Sequence, residues 1–165
     1  MSEIEHAIKW CLERGERGGD KHTGLKKINP DKIESENQLK KAKSDLETMQ
    51  YLYEGHKTDW VASAAFYAMY HSLLSILARL GYESRNQECT IVLIEKLIEE
   101  KRINLEKEYI EIIKSIQNEE GARSLREEMQ YSSKTPMEEK RCSSIMNQAR
   151  KFVERIAEVL EEILE

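Results

Sequence analysis

His71 stands one turn after Tyr67 in the run AFYAMYHSLLSIL, and side chains four apart meet on one face of a helix. An imidazole in that position can titrate near neutral pH and hold a ligand in a cleft or along a dimer seam. The plainer reading is a core or interface histidine, held through one ring nitrogen and packed by the rest. Arg123 and Arg126, three apart in ARSLREEMQYSSK, lie near each other on one helix face, with Tyr131 five residues beyond Arg126. Four glutamates surround them, Glu119, Glu120, Glu127 and Glu128. A solvated salt-bridge network accounts for such a cluster, at ~0–1 kcal/mol per exposed pair. The sharper alternative has Arg126 reaching inward to a carboxylate or carbonyl. Tyr67, His71, Arg123, Arg126 and Tyr131 are therefore the candidate lining of a ligand or partner cleft, with no catalytic residue assigned.

Other templates for chemistry are absent. There is no phosphate-binding G-x-x-x-x-G-K-[ST] loop, no H-E-x-x-H and no G-x-S-x-G. The four histidines, His6, His22, His56 and His71, are far apart, and none has a second ligand at helical metal spacing. No metal or other cofactor is expected. Cys11, Cys89 and Cys142 are odd in number and form no C-x-x-C pair, so they read as free thiols behaving as small hydrophobes in a reducing compartment. Asp59 and Trp60 read as a helix cap and a hydrophobic plug.

The elements that must position these groups are helices. Four of the seven glycines fall between Gly15 and Gly24, a flexible segment after a short helix over Ile4 to Glu13. Asn29-Pro30 supplies a helix start, since Asn caps free N–H groups and Pro suits the first helical position. Leu39, Ala42, Leu46, Met49 and Tyr53 then form one stripe, and Gly55 ends it in a left-handed conformation. Thr58 or Asp59 caps the next helix, which runs to Leu80 and stops at Gly81. This helix is apolar on nearly every face and is expected at the centre. Ile91 to Ile98, Leu105 to Ile116, and a short pattern from Ala122 to Met129 follow. Thr135-Pro136-Met137-Glu138 reads as a capping box that starts a last helix, striped by Ile145, Ala149, Phe152, Ile156, Leu160 and Ile163. No stretch alternates with the period of a half-buried strand. The expectation is an all-α, up-and-down bundle of four to five main helices with short accessory helices. Residues 1–29 form an extension with a short helix and a glycine-rich loop, and residues 30–165 form the bundle.

Composition supports one domain. Of 165 residues, 39% are hydrophobic and 35% charged, with only two prolines, which excludes collagen, low-complexity disorder and a disulfide scaffold. The formal charge of −5 disfavours a stand-alone nucleic-acid binder, whose affinity comes mostly from phosphate neutralisation. Val61 to Leu80 carries fifteen apolar residues in twenty, but His71 and Arg79 interrupt it, so it reads as a buried helix. A cytoplasmic protein without a membrane span is expected.

The landmarks LKKAKSDLETMQYLYEG, DWVASAAFYAMYHSLLSILARLGY, RSLREEMQY and NQARKFVERIAEVL together resemble the HEPN superfamily, in particular a small prokaryotic branch of it. IKWCLERG resembles an N-terminal extension of some archaeal members. The resemblance implies a bundle of four or five helices that is often dimeric. It also implies one of two roles. Many HEPN proteins are metal-independent ribonucleases of toxin–antitoxin and other defence systems, and others accompany a minimal nucleotidyltransferase. The nuclease members carry R-x4-6-H on a late bundle helix, where His moves a proton and Arg stabilises the charge that develops on phosphate. Arg17 and His22 meet that spacing, but in the glycine-rich extension, and no histidine follows Arg126. The segment reads R-x4-Y, and a tyrosine with a pKa of ~10 is a poor base at neutral pH. The expectation is a non-catalytic HEPN-like module that forms a homodimer and binds a protein partner, such as a minimal nucleotidyltransferase, or a nucleotide. The alternative is a metal-independent ribonuclease acting on RNA.

Overall fold

A computed structural model of the chain describes residues 2–117 and 139–163. Six α-helices appear among the described residues: α1 (Glu3–Gly18), α2 (Lys32–Glu54), α3 (Val61–Leu80), α4 (Gln87–Glu99), α5 (Lys107–Gln117) and α6 (Glu139–Ile163). The all-α expectation holds, with one addition that no alternation in the sequence announced. Strands β1 (Leu25–Lys27) and β2 (Tyr82–Ser84) pair antiparallel, Leu25 opposite Ser84 and Lys27 opposite Tyr82. With three residues each, these strands are too short to show a period.

The caps differ from expectation in informative ways. A capping box of Ser2 and Glu5 starts α1, which continues through Gly15 to Gly18 instead of ending near Glu13. The side chain of Asp31, two residues beyond Asn29, caps α2 by accepting from the Glu34 amide at 2.9 Å. Gly55 does not turn left-handed, with φ −82°, and His56 takes the positive φ of 58° instead. Neither Thr58 nor Asp59 caps α3, because residues 58–60 form a 3-10 turn that leads straight into it. Trp60 is no plug; about half of it is exposed. Gly81 does end α3 as expected, with φ 91°.

α3 is the axis of the fold. It packs most extensively against α2, next against α6, and also touches α4 and α5. Met69, Leu73, Ile76 and Leu77 are almost completely buried and join Ile94, Ile113, Phe152 and Ile156 in one core. The span Thr58–Leu80 is long and apolar enough to cross a membrane by composition, its most apolar stretch of 18 residues having mean hydropathy 1.4, yet 72% of that stretch is buried inside the fold. That is the burial of a central core helix.

The N-terminal region is built differently from a flexible extension. Gly15 and Gly24 let α1 and β1 approach backbone to backbone: a Cβ on Gly15 would sit 1.8 Å from the Leu25 carbonyl oxygen, and one on Gly24 2.3 Å from that of Cys11. The glycines are there for packing. Cys11 and Cys89 are joined in a disulfide, with Cα atoms 5.8 Å apart, and Cys142 is free and buried. The expectation of three free thiols is therefore wrong, and the argument from them to a reducing compartment falls with it. The pairing links positions 78 apart, a separation that sequence spacing does not reveal.

Candidate functional site

Between Val61 and Ala78, every residue of α3 is buried except Ala64, Tyr67, His71 and Leu74. Their spacing of three, four and three makes one stripe, ~15 Å long at 1.5 Å per residue. Over this stretch the helix thus meets solvent only along a single, partly buried line. Tyr67 and His71, the residues singled out by sequence, lie at its middle, with ring centroids 5.9 Å apart and planes inclined by 25°.

The structure adds a partner that sequence reasoning missed. His71 Nδ1 donates to Asp45 Oδ2 of α2 at 2.5 Å, with the two side chains 14% and 23% exposed. A carboxylate on Nδ1 fixes the tautomer of a neutral imidazole, so that the lone pair lies on Nε2. No described residue hydrogen-bonds to Nε2, and it is not among the polar atoms buried without a partner, which are Gln38 Oε1 and Ser63 Oγ. The imidazole is therefore oriented from behind by Asp45. A signal for Asp45 did exist: it follows Ala42 by three and precedes Met49 by four, an acid set into the buried stripe of α2.

Behind the stripe the helix is anchored by polar contacts. Tyr70 Oη lies 3.2 Å from Thr90 Oγ1, and burial pushes its phenol above the ordinary range. Thr90 in turn donates to Ser84 Oγ at 2.7 Å. Ser35 of α2 donates to the Ser75 carbonyl at 2.8 Å, which sets the register of α2 along α3. These contacts hold the backbone under Tyr67 and His71 in place.

Arg123, Arg126 and Tyr131 lie outside the described residues, as does the Thr135–Glu138 capping box. Arg17 and His22 do not form a site. Arg17 is exposed on α1, whereas His22 is buried with both ring nitrogens engaged. Nδ1 accepts from the Gly24 amide at 3.2 Å, and Nε2 donates to Glu83 Oε1 at 2.6 Å. His22 ties the N-terminal segment to β2. Among the described residues no group of three His, Cys, Asp or Glu side chains is placed to hold a metal.

A family model described as the HEPN domain matches residues 35–160, which spans α2 through nearly all of α6. The chain belongs to the HEPN family. The resemblance carried by the sequence landmarks and the helical architecture agree with this membership. No curated protein matches the chain. The match begins after β1, so α1 and the strand that follows stand outside the matched residues, while Asp45, Tyr67 and His71 stand within them.

Proposed function

We propose that this HEPN domain works as a binding module, without catalysis of its own, and that the stripe of Ala64, Tyr67, His71 and Leu74 on α3 is its working face. One observation carries the reading: from Val61 to Ala78 the central helix is buried except along this line, which is apolar at its ends, Ala64 and Leu74, and aromatic and polar in the middle, at Tyr67 and the Asp45–His71 pair. Such a surface supports association, because aromatic side chains supply buried area while a pre-oriented imidazole supplies direction. A second copy of the chain is the first occupant, and a protein of the minimal nucleotidyltransferase class is the further partner that the family suggests. Light scattering after size exclusion tests the dimer. Full-length protein is expected at twice its monomer mass of 19.3 kDa, and Tyr67→Ala with Leu74→Ala is expected to shift it to monomer. A wild-type monomer that also captures no partner or nucleotide from its native host would refute the proposal.

The Asp45–His71 pair favours one second reading, a metal-independent ribonuclease. In this reading Nε2 would take a proton from a ribose 2′-hydroxyl, and Arg126 would stabilise the phosphate charge. RNA cleavage in EDTA that disappears in His71→Ala and in Arg126→Ala would replace the binding reading with this one. Inert protein at high enzyme-to-RNA ratio removes it.

A further inference from the structure

The first helix is attached to the rest of the molecule in an unusual way. α1 runs antiparallel along α4, since Cys11 meets Cys89 while Glu5, Ile8 and Lys9 lie near Lys96, seven residues further along α4. Among the described residues no hydrogen bond or ion pair joins α1 to α4. What remains is the disulfide, the buried side chain of Ile8, and the half-buried Ile4 and Leu12. Beside this contact runs an open groove of about 450 Å³, floored by Ile8 and Leu12 and rimmed by Glu5, Lys9 and Lys96. The strong attachments of the N-terminal segment lie further on, at β1–β2 and at His22–Glu83. From Cys11 onward α1 is also held to residues 23–25, by the close approach of Gly15 to Leu25 and of Gly24 to Cys11 and by Arg14 donating to Thr23. Its first two turns lean on α4 through apolar contact beside the one covalent bond.

We propose that the Cys11–Cys89 bond is a redox-operated latch on α1. Oxidised, it holds α1 against α4. Reduced, the turns of α1 ahead of Cys11 loosen from α4 and widen the groove over its apolar face, while Gly15 stays packed on Leu25. The HEPN domain remains folded, because its family match starts at residue 35 and its core is centred on α3. A dithiol of low molecular weight or a protein dithiol is the reductant. Its thiolate attacks one sulfur, the Cys11–Cys89 bond breaks, and a mixed disulfide forms with one cysteine thiolate leaving. The reductant's second thiol then displaces the other cysteine. Two electrons and two protons pass to the cysteines, and the reductant departs as its own disulfide. Both cysteines are buried, 2% and 0% exposed, so the first attack waits on a partial opening of α1, and the reduction rate reports that opening.

Full-length protein purified without reductant provides the test. Alkylation after denaturation is expected to label one thiol, that of Cys142, and labelling of all three would overturn the proposal. Hydrogen exchange is then followed by mass spectrometry with and without dithiothreitol. Reduction is expected to speed exchange over residues 3–10 by ~10-fold or more, given the stabilisation a cross-link over a long loop normally supplies. Exchange over residues 61–80 is expected to stay unchanged. Equal exchange of α1 in both states, or loss of protection in α3 together with α1, would sink the latch. Cys11→Ser with Cys89→Ser should reproduce the reduced pattern without reductant. If that variant does not fold, reduction of the folded wild type reads the same quantity.

Discussion

Asp45 Oδ2 and His71 Nδ1 meet at 2.5 Å across the seam between α2 and α3, on the partly exposed line of α3 from Ala64 to Leu74. The contact serves structure and function together. It satisfies two polar groups that α2 and α3 half bury, and it fixes the orientation of the imidazole. Replacing Asp45 with Ala leaves Nδ1 without its acceptor, which is expected to cost ~1–3 kcal/mol in urea denaturation. Asp45→Asn keeps an acceptor oxygen and should cost less. If both variants unfold at the wild-type midpoint, the pair contributes nothing to the α2–α3 seam.

The glycines of the N-terminal segment offer a sharper test. A Cβ on Gly15 has the Leu25 carbonyl 1.8 Å away, and that neighbour is backbone. Gly15→Ala is expected to destabilise the packing of α1 on β1 by ~1–3 kcal/mol, although alanine favours helix at an open site by up to ~1 kcal/mol. Exchange protection over residues 3–27 should fall, while that of α3 holds. A neutral or stabilising effect would mean that α1 does not pass this close to β1.

Arg155 fastens the α4–α5 connection to α6. It donates to the Asn104 carbonyl at 2.6 Å and pairs with Glu106 at 3.0 Å and Glu158 at 3.1 Å. The hydrogen bond from Arg155 holds the Glu106 carboxyl below the usual glutamate range. A depressed folded value means that this stability is complete above the unfolded range, at about 4.3–4.5, and is lost as pH falls through the folded value. Glu106 is well exposed, so the loss is expected to be only ~0.5–1 kcal/mol. Arg155→Ala should flatten this part of the stability–pH curve below pH ~4.5. A slope identical to that of the wild type would assign the acid sensitivity elsewhere.

Phe152 is wholly buried on α6 and meets Tyr109 of α5 edge to face, ring centroids 5.7 Å apart. Phe152→Ala is expected to cost ~3–5 kcal/mol, from lost transfer energy and the cavity left behind. Phe152→Leu should cost clearly less. Calorimetry decides: a small shift for the alanine variant would place Phe152 outside the cooperative core.

Much of the architecture was legible in the residues. The stripe from Leu39 to Tyr53, the nearly all-apolar run ending at Gly81 and the stripe from Ile145 to Ile163 all became helices, with the apolar run at the centre. Helix periodicity repeats within 3.6 residues, so it is written locally and survives without knowledge of the fold. The middle of the candidate site was legible too, since Tyr67 and His71 are one turn apart on one helix. Their orienting partner was not picked out, because Asp45 lies 26 positions away on another helix. The disulfide went unread for the same reason, and so did the role of His22, whose acceptor Glu83 is 61 positions distant.

Taken alone, the chain of amino acids decided which segments coil, which face of each is apolar, and which helix the others surround. Only tertiary structure decided which polar and sulfur-bearing groups meet: Cys11 with Cys89, His22 with Glu83, and Asp45 with His71. Local propensity acts through neighbours within a turn. A partner across the molecule is chosen by how whole helices dock, through interlocking of their buried faces, and that choice leaves no fixed spacing to read.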